Sequence, residues 1–368
     1  MIYLDNAATS FLKPNTVAQA VFDSFSQVGN AGRGINQASV AAERIVYETR
    51  QLLAEMVGST PRQVAFTSGS TESLNTIIHG YLRPDDHVIT SVMEHNSVLR
   101  PLYRLGCDLS LIPIDESGRL DRTGRDLLVK PNTKCLILTH AANLTGVVND
   151  LVEWGQWAKE QGIAFIVDAS QTMGVRPIDM KAMNIAALAF TGHKGLFGAQ
   201  GTGGMILADG FNIQPLKVGG SGIATFSKEH PPQMPTRLEA GTLNIHGLAG
   251  LRAGLIFIQQ TGLEAIHSKE MLLRQRFLEG VQDLDVTLYG VFDDAVGIIA
   301  LNVAHEDSAV VGDWLNDEGI LVRTGGHCAP LHHEAFATVD QGMVRFSFSY
   351  FNTEDDIDKA ILALRNIF

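Results

Sequence analysis

Ile163-Ala164-Phe165-Ile166-Val167-Asp168 and Ala186-Ala187-Leu188-Ala189-Phe190 decide how this chain folds; the second runs straight into Thr191-Gly192-His193-Lys194. Both are short apolar runs without polar alternation, the pattern of strands buried on both faces. The same texture recurs at residues 87–92, 135–139 and 204–207. Helical spacing fills the gaps. Residues 151–161 form one such stretch, closed by Gly162. In 38–57, Ile45, Thr49, Leu52, Leu53 and Met56 share a face before Gly58 and Pro61 stop the helix. Strand–helix alternation predicts an α/β fold with a mostly parallel sheet covered on both faces.

The texture changes near residue 245. Helical stretches at 248–260 and 264–284 lead into strand-like runs at 296–303, 320–323 and 343–348, with helical patterns at 309–318 and 353–367. A length of 368 residues suits about two domains. The expected division is a large α/β domain over 16–245 and a smaller α+β domain formed by 1–15 with 246–368.

Charge and cysteine usage narrow the function. The 28 Lys and Arg against 40 Asp and Glu give a net charge of −12. That balance argues against a dedicated nucleic-acid binder, which needs clustered basic residues. Cys107, Cys135 and Cys328 are too few and too scattered for a disulfide framework and suit a reducing compartment. Cys107 and Cys135 are expected as small buried hydrophobes. The start, Met1-Ile2-Tyr3-Leu4-Asp5-Asn6, lacks the basic and apolar regions of a signal peptide. No apolar run reaches the roughly 18 residues that span a bilayer. A soluble, cytoplasmic protein is expected.

Three segments carry chemistry. Lys194 lies just past an apolar strand among small residues, where desolvation favours a neutral amine able to form a Schiff base. Asp168 ends another strand, at the edge where open α/β sheets bind ligands. Thr67-Ser68-Gly69-Ser70-Thr71-Glu72 opens a helical stretch and offers free N–H groups and hydroxyls to a phosphate. Taken singly, each has an ordinary explanation: a solvated loop lysine, a helix-capping aspartate, a plain N-cap. Together they describe a site for pyridoxal 5′-phosphate.

The chain resembles class-V aminotransferase-type enzymes, and within them the cysteine desulfurase group that includes selenocysteine lyases. The resemblance runs nearly end to end. It rests on Tyr3-Leu4-Asp5-Asn6-Ala7-Ala8-Thr9, residues 66–72, Glu94-His95-Asn96, residues 167–171, residues 191–194 and Glu239-Ala240-Gly241-Thr242. Arg323-Thr324-Gly325-Gly326-His327-Cys328-Ala329-Pro330 and residues 345–353 complete it. It implies the fold-type I architecture of pyridoxal-phosphate transferases, with a sheet of seven-stranded type. Lys194 would carry the cofactor and shuttle the substrate Cα proton. His95 would stack on the pyridine ring, Asp168 pair with the ring nitrogen and Gln171 bond the ring hydroxyl. Ser70, Thr71, Thr191 and His193 would hold the phosphate, and Thr242 would reach the phosphate of a neighbouring subunit in a homodimer. Asn143 and Arg345, with Arg323, would bind the substrate carboxylate. Cys328 would take sulfur from L-cysteine as a persulfide, leaving L-alanine, and pass it to a reductant or an acceptor protein such as an iron–sulfur assembly partner. Gly326 stands where this group often has His, and Leu243 where proline is common.

Alternatives remain at this level. L-Selenocysteine would use the same lysine and cysteine. A transaminase or another lyase on this scaffold would not require Cys328, and a sulfur-carrier subunit would not require turnover. His327, Cys328, His332 and His333 match no common zinc spacing, so no metal is expected. Gly219-Gly220-Ser221-Gly222 lacks the ending of a P-loop. The run 29–34 lacks the strand that precedes a dinucleotide fingerprint, and Arg33 within it is expected at the substrate entrance.

Overall fold

Alternation across β-strands explains how so apolar a sheet is covered. In the run 135–138, Cys135 and Ile137 enter one hydrophobic cluster while Leu136 and Leu138 enter another. Successive side chains point to opposite faces, so both faces must be packed. The computed structural model describes residues 1–32, 34–290 and 294–367, which leaves Arg33 outside the described residues. In chain order the elements are β1 (Ile2–Tyr3), α1 (Asn15–Gln27), α2 (Gln37–Met56), β2 (Val64–Thr67), α3 (Ser70–Tyr81), β3 (His87–Ser91), α4 (Asn96–Leu105) and β4 (Asp108–Ile112). Next come β5 (Thr133–Thr139), α5 (Leu151–Glu160), β6 (Ala164–Asp168), β7 (Ala187–Thr191), β8 (Gly203–Leu207), α6 (Ile245–Thr261) and α7 (Leu263–Val281). The last part holds β9 (Val286–Tyr289), β10 (Ile298–Val303), α8 (Ser308–Asp317), β11 (Ile320–Leu321), β12 (Arg323–Gly325), α9 (Pro330–Ala335), β13 (Met343–Ser347) and α10 (Glu354–Arg365).

The large sheet has seven strands in the order β2-β8-β7-β6-β5-β3-β4. Only β8 runs against its neighbours; the other pairings are parallel. The mostly parallel α/β sheet expected from the sequence is therefore present. One face packs on α2, α5 and α6 through Leu53, Trp154, Trp157, Leu251 and Leu255. The other packs on α3 and α4 through Leu74, Ile77, Val98 and Leu102. A four-stranded sheet, β12-β13-β10-β9, forms the smaller unit, and β1 pairs in parallel with β11 beside it.

Apolar packing changes partner inside α7. Leu248, Leu251, Leu255, Ile258 and Ile266 belong to the large core, whereas Leu273, Phe277 and Val281 join Leu4 and the small sheet. We therefore read the large unit as extending through α6, past the 245/246 junction expected from texture. A helical pattern shows which face is apolar but not which sheet that face meets. Cys107 also departs from expectation: it is half-buried, while Cys135 is buried. The reason is position, since Cys107 leads into the edge strand β4.

Candidate active site

In a parallel sheet all strand ends of one kind lie on one edge, where ligands bind. Here β2 leads to Ser70 and Thr71, β3 to His95, β5 to Asn143, β6 ends at Asp168 and β7 leads to Lys194. These side chains line one cavity of about 440 Å³, together with Gln171, Thr191, His193, Arg323, Cys328 and Arg345. Twelve of the thirteen residues expected at the site therefore meet. Thr242 does not; it is exposed and lines a second cavity of about 410 Å³.

Close backbone approach shapes the turn before α3. A methyl group at Gly203 would sit 2.5 Å from Gly69 Cα, so only glycine lets β8 lie against the turn before α3. No side chain caps α3, and its first-turn residues Ser70, Thr71 and Glu72 line the cavity together with Thr191 and His193.

Asp168 is held at one oxygen. Its Oδ1 accepts from Ser70 Oγ at 3.2 Å, from Ser170 N at 3.0 Å and from Ser170 Oγ. Its Oδ2 has no hydrogen-bond partner among the described residues. The Ser70 hydroxyl thus serves the carboxylate. Gln171 Nε2 donates to Ala7 O at 3.2 Å.

His95 has a defined tautomer. Its Nδ1 accepts the Ser97 N–H at 3.0 Å, so the neutral ring carries its proton on Nε2. Burial holds its pKa down at about 4, which keeps the ring neutral near pH 7. Burial likewise holds His193 at about 4, with Lys194 and Lys13 adding to the effect. Lys194 Nζ forms no hydrogen bond or ion pair among the described residues. Desolvation pulls its ammonium down to about 8; Asp168 opposes this, while Arg345 and Arg323 reinforce it.

The Cys328 loop is strained and tied down. His327 and Cys328 have φ of 50° and 57°, a region that costs a non-glycine residue about 1–3 kcal/mol. Three contacts offset this. Asn143 Nδ2 donates to His327 O at 2.8 Å, Asn96 N donates to Cys328 O at 2.8 Å, and Ala329 N donates to Gly326 O at 3.0 Å. The Cys328 side chain is exposed and lines the same cavity as Lys194. A methyl group at Gly326 would meet no atom within 4 Å, so the flank of Cys328 is open. Among the described residues no group of His, Cys, Asp and Glu side chains is arranged to hold a metal ion.

Among the described residues, two guanidinium groups line the cavity. Arg345 Nη2 forms a 2.7 Å ion pair with Asp5, and Nη1 donates to Asn143 O at 2.9 Å. The Arg323 guanidinium has no hydrogen-bond or ion-pair partner among the described residues, which leaves its fork open to a carboxylate.

Some functional residues were not singled out from sequence. Ser170 sits inside a motif quoted for its neighbours, and only the fold shows it on Asp168. Glu94 precedes His95 and is fully buried. Its Oε1 accepts from Ser91 Oγ at 2.6 Å and Thr139 N at 3.0 Å, tying the ends of β3 and β5 together. Burial pushes its carboxyl up to about 8. Glu94→Ala strands two buried donors and is expected to lower stability by about 2–5 kcal/mol. Urea unfolding measures this, and a loss within about 0.5 kcal/mol, the range of ordinary surface changes, would refute it.

Known proteins share this arrangement of sequence and fold. Residues 2–360 match the family model described as aminotransferase class-V. A probable cysteine desulfurase of Pyrococcus abyssi is 32% identical, the match covering 100% of this chain and 94% of the relative. A cysteine desulfurase of Escherichia coli (strain K12 / DH10B) is also 32% identical, covering 100% and 93%. The solved apo structure of a cysteine desulfurase from Thermococcus onnurineus NA1 superposes with a TM-score of 0.93 at 31% identity, covering 100% of this chain and 94% of that one. With its seven-stranded sheet, its lysine past β7 and a family match across nearly its whole length, the chain belongs to the class-V aminotransferase family.

Proposed function

We propose that the protein is a cysteine desulfurase using pyridoxal 5′-phosphate, which converts L-cysteine to L-alanine and takes the sulfur onto Cys328. One observation carries this reading: a desolvated lysine and an exposed cysteine line one cavity. The relatives named above support it.

The residues present fit the cofactor. Lys194 has an unengaged amine for the aldehyde. Asp168 keeps Oδ2 unbonded for the ring nitrogen, and His95 is a neutral ring at the cavity wall. The free amides of α3 with Thr71, Thr191 and His193 suit the phosphate, and Gln171 suits the ring hydroxyl. When bound, the cofactor supplies an electron sink for the substrate Cα. Arg323 and Arg345 orient the substrate carboxylate, with Asn143 holding the Cys328 loop beside it. Lys194 Nζ accepts the Cα proton. The Cys328 thiolate attacks the substrate sulfur, the substrate C–S bond breaks with its electron pair passing to Cβ, the proton of the substrate thiol goes to Cβ, and a persulfide anion remains on Cys328 Sγ. Lys194 Nζ then returns a proton, and L-alanine leaves.

Further parts of the reading concern partners. The exposed Thr242 reaches the cofactor phosphate of a second copy, making the working unit a homodimer. A thiol acceptor, protein or small molecule, removes the sulfur. The three cysteines are unpaired, and no helix among the described residues is long and apolar enough to cross a membrane; we place the enzyme in the cytoplasm. The test supplies L-cysteine, pyridoxal phosphate and a reductant, and counts sulfide and alanine. Equal yields are expected; alanine without sulfide, or neither product, rejects the proposal.

The amine also sets a pH profile. A neutral amine condenses with an aldehyde and an ammonium does not. Capture of pyridoxal phosphate by cofactor-free protein should therefore rise with pH to a midpoint near 8. Stopped-flow absorbance reads this, and a midpoint near the ordinary lysine value of 10.5 would contradict it.

A further inference from the structure

Glu239 opens the Glu239-Ala240-Gly241-Thr242 segment, and the reaction described above does not use it. Its carboxylate meets the guanidinium of Arg50 from α2 in a buried pair, the side chains 7% and 8% exposed respectively. The pairing is two-pronged. Arg50 Nη1 donates to Oε1 at 2.8 Å and Nη2 to Oε2 at 2.6 Å. Both partners are also bound to β2. Arg50 Nη1 donates to Val64 O, and its guanidinium lies 4.5 Å from the centre of the Phe66 ring. Glu239 Oε1 accepts the Phe66 N–H at 2.6 Å.

The segment beyond Glu239 is held with less. Gly241 N donates to Gly220 O at 2.8 Å, and Gly241 turns the chain at φ +99°. Thr242 follows, exposed, at a cavity it shares with Arg50, Glu239, Tyr47 and Gly220. The place of Thr242 thus depends on where Glu239 is fastened. Glu239 in turn is fastened to the strand that runs into the phosphate cradle of its own subunit. A buried ion pair is a weak source of net stability, because desolvation offsets the attraction. Its rigid fork is a good source of position.

We propose that Arg50 is a positioning residue for cofactor binding: by fixing Glu239 to β2, it sets the Gly241–Thr242 turn where Thr242 meets the neighbouring subunit's cofactor phosphate. This rests on the reading that Thr242 crosses to that phosphate. Arg50 touches neither substrate nor cofactor.

The test compares two ligands on the full-length dimer stripped of cofactor. Pyridoxal phosphate and pyridoxal differ only in the phosphate, so the ratio of their dissociation constants isolates the phosphate contacts. Absorbance titration gives both constants, and light scattering confirms the dimer. Arg50→Lys keeps the charge and loses the fork. It is expected to cut the preference for pyridoxal phosphate by about tenfold, the worth of one hydrogen bond to a charged group, with pyridoxal binding unchanged. A wild-type ratio in a folded Arg50→Lys dimer, whatever its melting temperature, overturns the proposal. If Arg50→Lys does not fold, Arg50→Met/Glu239→Met removes both charges together. A reduced ratio is expected there too, and a wild-type ratio overturns the proposal. Thr242→Ala separates the two readings. If it lowers the ratio and Arg50→Lys does not, only the role of Arg50 fails. If it leaves the ratio unchanged, the crossing of Thr242 fails and the role of Arg50 with it.

Discussion

Cys328→Ala is expected to reduce sulfide and alanine formation from L-cysteine together, by at least about 100-fold, because the nucleophile proposed to accept sulfur is gone. Cofactor binding should be unchanged. Cys328 comes from the loop between β12 and α9 rather than from the strand ends that carry Lys194 and Asp168, and its loop is fastened through its backbone carbonyls. The substitution is also a mild one for the loop. Alanine bears a Cβ as cysteine does, so the left-handed conformation at φ 57° is no more strained than before. The asparagine and α4 contacts to the loop carbonyls remain. Loss of both products with cofactor affinity and melting temperature retained assigns the role to the thiol. Wild-type yields of both products from the variant would make Cys328 a bystander and move the reaction to a class-V chemistry that needs no thiol.

Lys194→Ala should remove turnover almost wholly, by at least about 10⁴-fold, since one side chain is asked to act both as covalent anchor and as proton carrier. Borohydride should fix the cofactor to wild-type protein and not to the variant. The phosphate cradle and Asp168 remain, so the variant should still bind pyridoxal phosphate, more weakly and reversibly. A variant that is still fixed by borohydride would show another amine at work. The nearest alternative is Lys13, whose Nζ donates to Ser10 Oγ at 2.6 Å and lies 3.4 Å from His193 O. Burial brings its pKa to about 8 as well, but Lys13 does not line the cavity. That separation in space, rather than basicity, distinguishes the two lysines.

Much of the site was legible because it is built from local signals. Lys194, Asp168 and the Ser70–Thr71 turn each stand at the end of an apolar run, and a parallel sheet gathers such ends on one edge. The family resemblance added His95, Gln171 and Cys328, which no periodicity singles out. Boundaries were less legible. The helical stretch expected after the 67–72 turn already begins at Ser70, because Ser70, Thr71 and Glu72 themselves form its first turn. The strand expected at 320–323 is two strands, β11 and β12, each belonging to a different sheet, a distinction that depends on pairing partners.

The sequence by itself determined the layered α/β plan, the strand ends that bear the chemistry and the family. Apolar periodicity, glycine placement and short motifs act over a few residues, so they are written wherever they occur. Only the tertiary structure brought Ser70 onto Asp168 Oδ1 from 98 residues away. It also decided how the Cys328 loop is held, through Asn143, 184 residues from His327. The fastening of Glu239 to Arg50 spans 189 residues. Such contacts form when separately encoded elements pack, and their geometry follows from the shapes that meet rather than from any stretch of chain.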